Sequence, residues 1–129
     1  MSATARALAA RFYEAVNAGD LDPALALLAD DVVWHRPPDV PVTGVVEGRE
    51  KVRRMWAAFI EPLDRFEIEP TGYEGEGGQV LVRITMRGSA PEGRGDFEFA
   101  GAQVFRCEDG RIAEVLEFRT LPEARAALS

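Results

Sequence analysis

The stretch FYEAVNAGD at residues 12–20, followed by ADDVVWH at residues 29–35, decides the fold that the sequence predicts. Apolar residues at positions 5, 8, 12 and 16 have helical spacing, so we expect a helix over about 3–17. Gly19 ends it, because glycine takes the left-handed conformation of a helix end without strain. An aspartate then caps a second helix with Leu21, Leu25 and Leu28 on its buried side, and the run Val32–Trp34 predicts the first strand.

A third helix is predicted from near Gly48 to Pro62, after a proline-rich loop that reaches residue 44. Beyond Pro62 the apolar period changes from 3.6 to 2, which predicts strands joined by turns such as Asp109-Gly110. The predicted strands cover about 66–69, 80–87, 97–106 and 112–120, and a short helix follows over 122–128. Helices followed by an antiparallel meander indicate an α+β fold in one domain over residues 1–129.

Composition excludes several classes of protein. The chain has 22 acidic and 15 basic residues and a net charge of −7, which disfavours nucleic acid and anionic membrane surfaces as partners. No apolar run reaches the roughly 18–20 residues of a membrane span, and no secretory signal is visible. The single cysteine excludes an internal disulfide and a thiolate metal cluster. We therefore expect a reduced, cytoplasmic protein.

The chain contains four short motifs whose order and spacing are known from other proteins: NAGDLD at 17–22, LADDV at 28–32, GRE at 48–50 and DGRI at 109–112. With them the chain resembles the nuclear transport factor 2-like superfamily and, within it, the SnoaL-like proteins, over nearly its whole length. The resemblance implies a cone of three N-terminal helices packed on a curved antiparallel sheet that encloses an apolar cavity. It does not imply one activity, because the superfamily includes isomerases, cyclases, epoxide hydrolases, dehydratases and proteins without activity.

Most catalytic residues known from members of the superfamily are replaced by other residue types in this chain. Where ketosteroid isomerase-like proteins place a tyrosine, an aspartate base and a protonated aspartate, the resemblance assigns Phe12, Arg36 and Gln103. A steroid isomerase is therefore not expected. The acid/base aspartate of SnoaL-like cyclases falls on Glu117, as does the last aspartate of limonene epoxide hydrolase-like proteins, and the cyclase histidine falls on Gln103.

Two residues are candidates for catalysis. Glu117 would face the cavity, and a carboxylate removed from water is a competent proton shuttle; the alternative is an edge-of-sheet glutamate paired with an arginine. His35 is the only histidine, the residue type that titrates nearest neutrality, and would act as acid or orienting donor. Its alternative is a packed or exposed strand-end side chain. A zinc site is not expected, because there is no second histidine.

The remaining candidates would bind substrate. Arg36 presents a planar donor fork suited to a carboxylate or enolate oxygen, and Gln103 would orient a ligand carbonyl. An apolar pocket for a flat molecule would be lined by aromatic side chains, for each of which ordinary core packing is the alternative: Phe12, Trp34, Trp56, Phe59 and Phe99.

The sequence thus predicts a small-molecule pocket protein, either a cofactor-independent acid/base enzyme of the cyclase, isomerase or dehydratase type acting on an apolar carbonyl-containing or polycyclic compound, or a non-catalytic binding or dimerisation module. No cofactor is expected. Apolar residues among charged ones on the outer sheet face predict a homodimer. The residues do not identify the substrate.

Overall fold

The computed structural model describes residues 4–37, 44–75, 77–91 and 95–128. Its elements, in chain order, are α1 (Ala5–Asn17), α2 (Leu21–Ala26), β1 (Leu28–His35), β2 (Val45–Glu47), α3 (Arg49–Ile60), β3 (Arg65–Glu74), β4 (Gln79–Ser89), β5 (Asp96–Glu108), β6 (Arg111–Phe118) and α4 (Leu121–Ala126). The predicted proline loop lies mostly outside the described residues, as does most of the predicted turn over 91–93.

The first two helices begin at side-chain caps. Thr4 accepts a hydrogen bond from the backbone of α1, and Asp20 does the same for α2. Gly19 separates the two helices with a positive φ of 83°, as its predicted role as a helix stop requires. The predicted extent of the second helix is wrong at its end: Leu28 belongs to β1, where it pairs with Ile112.

The six strands form one curved, unclosed sheet in the order β2-β1-β6-β5-β4-β3. The prediction of a wholly antiparallel sheet is wrong, because β1 runs parallel to β6. A meander pattern cannot reveal this pair, since its two strands are separated by most of the chain. The sequence also missed β2, whose three residues are too few to show an alternation and are largely exposed.

The β5–β6 hairpin follows the prediction. Asp109 and Gly110 both have positive φ, 52° and 76°, as the two central residues of a tight hairpin turn require. Glu108 and Arg111 pair on either side of the turn. This hairpin fixes the register in which Gln103 pairs with Glu117.

The two faces of the sheet bury different clusters. We call the face toward α1, α2 and α3 the inner face; it carries the main core, which includes Trp34, Val82 and Val115. The outer face carries a smaller cluster, including Leu81 and Val104, that packs against α4. Away from the register shifts in β1 and near the β5–β6 turn, side chains alternate along the strands, and each residue there can be assigned to one face.

None of the described helices has the length and apolar character that a membrane crossing needs.

Candidate functional site

A pocket of about 370 Å³ lies between α3 and the inner face of β4, β5 and β6. Its walls are mostly apolar, with three charged side chains and one amide among them. The lining residues are Arg36, Pro37, Met55, Trp56, Phe59, Ile84, Met86, Phe99, Ala100, Gly101, Ala102, Gln103, Glu117, Phe118 and Arg119. Its volume falls in the range of small-molecule sites.

Six of the nine predicted site residues line this pocket: Arg36, Trp56, Phe59, Phe99, Gln103 and Glu117. The aromatic members form a connected wall. The rings of Trp56 and Phe59 are stacked with centroids 6.4 Å apart, and Phe97 links Phe59 to Phe99. Phe99 is 47% exposed, a large value for a phenylalanine, which makes its ring available to a bound molecule.

Two predicted lining residues belong to the core instead. Phe12 and Trp34 are both completely buried, with ring centroids 5.8 Å apart, and neither reaches the pocket. The rings of Tyr13, Trp56 and Phe105 also surround Phe12. The alternative of ordinary core packing therefore holds for these two residues.

His35 does not face the pocket. It follows inner-facing Trp34 on β1 and so points to the outer face, where its Nε2 lies 2.6 Å from Oε2 of Glu114. Arg106 donates to the other oxygen of that carboxylate at 2.9 Å and to the carbonyl of Ala127 just beyond α4 at 2.7 Å. The predicted pairing of His35 with Glu117 in one site is wrong, because the sheet separates them.

The outer-face cluster gives a pH prediction. Partial burial acts to raise the pKa of Glu114, but hydrogen bonds from Arg106 and His35 outweigh it, so the pKa is lowered. A carboxyl with a lowered pKa stabilises the fold above its ordinary pKa, about 4.3, and loses that contribution as pH falls through the folded-state value. We expect E114Q to cost about 1 kcal/mol or less at neutral pH, and the difference from wild type to shrink in acid. Urea unfolding of both proteins across pH tests this; a gap that widens in acid contradicts it.

The polar wall of the pocket is built around Glu117. Gln103 Nε2 donates to Oε2 of Glu117 at 3.1 Å. Arg36 Nε lies 3.3 Å from Oε1, an ion-pair distance without hydrogen-bond geometry, and neither of these two buried atoms has a hydrogen-bond partner among the described residues. Both side chains are largely buried, 17% exposed for Arg36 and 15% for Glu117. The arrangement leaves Oε1 beside a fixed positive charge.

Tyr13 is the functional candidate that the sequence analysis missed. Its hydroxyl donates to Oε1 of Gln103 at 2.7 Å, and both side chains are 1% exposed. The resemblance assigns Phe12 to the position of the tyrosine on helix one. The α1 residue that contacts Gln103 is the next one along the chain, Tyr13. The signal was present, since Ala9, Tyr13 and Val16 repeat at helical spacing and are all buried.

Cys107 is not a reactive thiol. Burial raises its pKa to about 11, so little thiolate exists at neutral pH. We expect iodoacetamide to modify it at neutral pH at least about a hundredfold more slowly in the folded protein than in urea. Mass spectrometry of timed samples measures both rates, and equal rates would show that the thiol is open to solvent in the native state.

The described part of the chain has no group of three or more His, Cys, Asp or Glu side chains placed to hold a metal ion.

The SnoaL-like domain family matches residues 9–115, so the chain belongs to that family, as its motifs predicted. A Xanthomonas campestris protein of unknown function with a cystatin-like fold is 26% identical and superposes with a TM-score of 0.77, over 95% of this chain and 97% of that one. No curated protein matches the sequence.

Two further solved structures share the fold and contain small molecules. A Mycobacterium tuberculosis protein in complex with estradiol-17β-hemisuccinate is 20% identical, with a TM-score of 0.78 over 92% of this chain and 95% of that one. TerC, co-crystallised with polyporic acid, is 15% identical, with a TM-score of 0.76 over 94% of this chain and 95% of that one.

Proposed function

We propose that the pocket binds a small, flat, largely apolar molecule with a carbonyl group, and that Glu117 moves a proton beside that carbonyl. Two observations support the binding. The aromatic wall offers flat apolar surface, and the polar groups converge on one side of the pocket, which is the usual layout of a specific small-molecule site. Structures with the same fold hold estradiol-17β-hemisuccinate and polyporic acid, both small organic molecules.

The environment of the Glu117 carboxylate is the single observation that carries the catalytic part of the proposal. One oxygen is anchored by Gln103, while the other, buried 3.3 Å from Arg36 Nε, has no hydrogen-bond partner among the described residues. A general base needs one lone pair free to receive a proton and a fixed orientation. Glu117 meets both conditions and lines the pocket, whereas His35 lies on the outer face.

Arg36 supplies the second element of the reaction. As Glu117 Oε1 takes a proton from the carbon next to the carbonyl, the electron pair of the C–H bond moves toward the carbonyl oxygen and forms an enolate. The guanidinium beside Oε1 would stabilise that negative oxygen. Return of the proton from Glu117 to another carbon of the same framework completes an isomerisation. In a cyclisation the enolate carbon first attacks a second carbonyl of the framework, whose C=O π bond opens to an alkoxide, and Glu117 returns the proton to that oxygen; neither route changes the redox state.

Binding is tested first, with estradiol-17β-hemisuccinate and polyporic acid as probes. The chain has two tryptophans, Trp34 in the core and Trp56 in the pocket wall, so ligand contact should change the fluorescence of one of them. Titrations of the wild type and of a Trp56→Phe variant separate the two signals. Failure of both probes and of a wider set of flat carbonyl compounds to bind would overturn the proposal.

Proton transfer is tested without knowing the natural product of the reaction. A bound carbonyl compound incubated with the protein in D₂O should exchange hydrogen for deuterium at the carbon next to the carbonyl, faster than in buffer. NMR of the recovered compound measures the rate. Absence of such exchange in every bound compound that has a C–H next to its carbonyl removes the catalytic part and leaves the binding part.

A non-catalytic binding module is the second candidate. The observation that favours it is the Arg36–Glu117 ion pair, because an arginine already beside the carboxylate also suits a site that only recognises a polar group. The deuterium experiment separates the two candidates.

We also propose a homodimer, formed through the charged part of the outer sheet face and not through its apolar residues. The apolar residues of the outer face lie under α4, so sheet-to-sheet pairing would use the charged part, where Arg87 bridges Glu67, Glu69 and Glu98. Three carboxylates around one arginine repel a second copy, and salt screens this repulsion. We therefore expect light scattering to show more dimer at high salt; a monomer at every salt concentration contradicts the proposal.

A further inference from the structure

Gln103 is an unusual residue to find in this core. Among the described residues it is the only buried one of a polar or charged type, and it contacts the hydroxyl of Tyr13. Burying an amide without hydrogen bonds costs about 1–3 kcal/mol, so its partners decide whether the position is tolerated. Both ends of its amide have one: Tyr13 on the side of α1 and Glu117 on the side of the pocket.

The two hydrogen bonds run in one direction. Tyr13 donates its O–H to the amide oxygen, and the amide nitrogen donates to the carboxylate. An amide rotated by 180° would set its oxygen against an oxygen of ionised Glu117, which is repulsive. Tyr13 opposes the same rotation from the other end, because its O–H has no other acceptor among the described residues.

The hydroxyl of Tyr13 remains a donor throughout the accessible pH range. Burial, together with the nearby Tyr73 and Glu117, raises the pKa of Tyr13 well above its ordinary value. The phenol therefore stays protonated when Glu117 is ionised and when it has taken a proton. The amide N–H is then always presented to the carboxylate, whichever state the reaction has reached.

We propose that Tyr13 is a positioning residue for Glu117, acting through Gln103. Tyr13 fixes the amide of Gln103 so that its N–H holds Oε2 of Glu117, and this leaves Oε1 beside Arg36 as the oxygen that exchanges the proton. The inference rests on the proposed function for its catalytic meaning. The hydrogen-bond relay itself can be tested without a substrate.

Glutamine labelling gives a direct measurement. The chain has two glutamines, Gln79 and Gln103, and two tyrosines, Tyr13 and Tyr73, so each labelled residue has one internal control. With ¹⁵N-glutamine, we expect the side-chain amide of Gln103 to shift in Y13F and to exchange with solvent several-fold faster, while that of Gln79 stays in place. The Y73F variant, which removes the other phenol, should leave Gln103 unchanged.

If the side-chain amide signal of Gln103 keeps its position and exchange rate in Y13F, the proposed hydrogen-bond relay is wrong. If Y13F does not fold, a pH titration of the wild type decides. The charged and titratable groups near the relay are Glu117, Arg36 and Arg119 at the pocket and Tyr73 near Tyr13. The Gln103 amide and a ¹³C label on the Tyr13 ring should shift together as the pH is changed; a Tyr13 signal that does not follow the amide also overturns the relay.

The catalytic meaning has a separate readout. Once a deuterium-exchange substrate is in hand, Y13F should lower kcat by about tenfold and change KM by less than about twofold, because the substrate does not touch Tyr13. If E117Q leaves exchange intact, the proposed function fails, whatever Gln103 does. If E117Q abolishes exchange but Y13F changes neither kcat nor the Gln103 signal, the positioning role fails alone.

Discussion

Replacing Glu117 with glutamine is expected to reduce deuterium exchange and turnover by about 10²–10⁴-fold, the usual range for loss of a general base. Glutamine keeps the shape of the side chain and can still accept the hydrogen bond from Gln103. It cannot take a proton from carbon. Affinity for a neutral probe should change by no more than a few-fold, since the aromatic wall is untouched.

Glu114 offers a matched control for this variant. It lies on the same strand, three residues earlier, and is likewise a partly buried carboxylate in an ion pair with arginine, but on the outer face. E114Q should therefore retain exchange and turnover. Equal losses in E114Q and E117Q would show that both act through stability, and near-wild-type activity in E117Q would remove Glu117 from the mechanism.

Loss of the Phe12 ring is expected to destabilise the protein by about 3–5 kcal/mol, the usual range for truncating a buried phenylalanine. Phe12 is 0% exposed and lies at the centre of four ring contacts, so truncation leaves a cavity that its aromatic neighbours cannot easily fill. A small domain has about 5–15 kcal/mol in total, so F12A should unfold at much lower urea concentration. Fluorescence and circular dichroism during urea unfolding measure the difference.

F99A is the counterpart to F12A. Because Phe99 is half exposed and lines the pocket, its truncation should cost little stability but lower the affinity for a flat probe by about tenfold. F12A, assayed under conditions where it is folded, should bind the probe nearly as well as the wild type. The opposite pattern, with binding lost in F12A and kept in F99A, would contradict the assignment of Phe12 to the core and Phe99 to the site.

Local signals were enough to predict most helices and hairpins. Gly19, Asp109 and Gly110 have positive φ, a backbone conformation that few other residue types adopt. The residue types alone therefore predict a helix end at Gly19 and a hairpin turn at Asp109-Gly110. The family followed from short motifs and is confirmed by the match over residues 9–115. No sequence pattern within β1 or β6 indicates that these two strands pair in parallel.

The site was harder to predict for two physical reasons. Strand parity decides whether a side chain enters the pocket, and for His35 a shift of one residue separates the pocket from the outer face. Burial alone does not distinguish a lining ring from a core ring, which is why Phe12 and Trp34 were grouped with Phe99. Tyr13 was missed because its role depends on Gln103, 90 residues away in the chain.

The parallel pair has a consequence for how the protein is made. Strand β1 lies between β2 and β6, and β6 is the last strand synthesised. Until residues 111–118 have left the ribosome, one edge of β1 has no strand to pair with. The unpaired backbone N–H and C=O groups of that edge can bind strands of other chains. Long-range pairing of this kind slows folding, because the intervening chain must be brought together before the contact forms. The nascent protein is therefore most exposed to aggregation and to chaperones in the interval before its final hairpin appears.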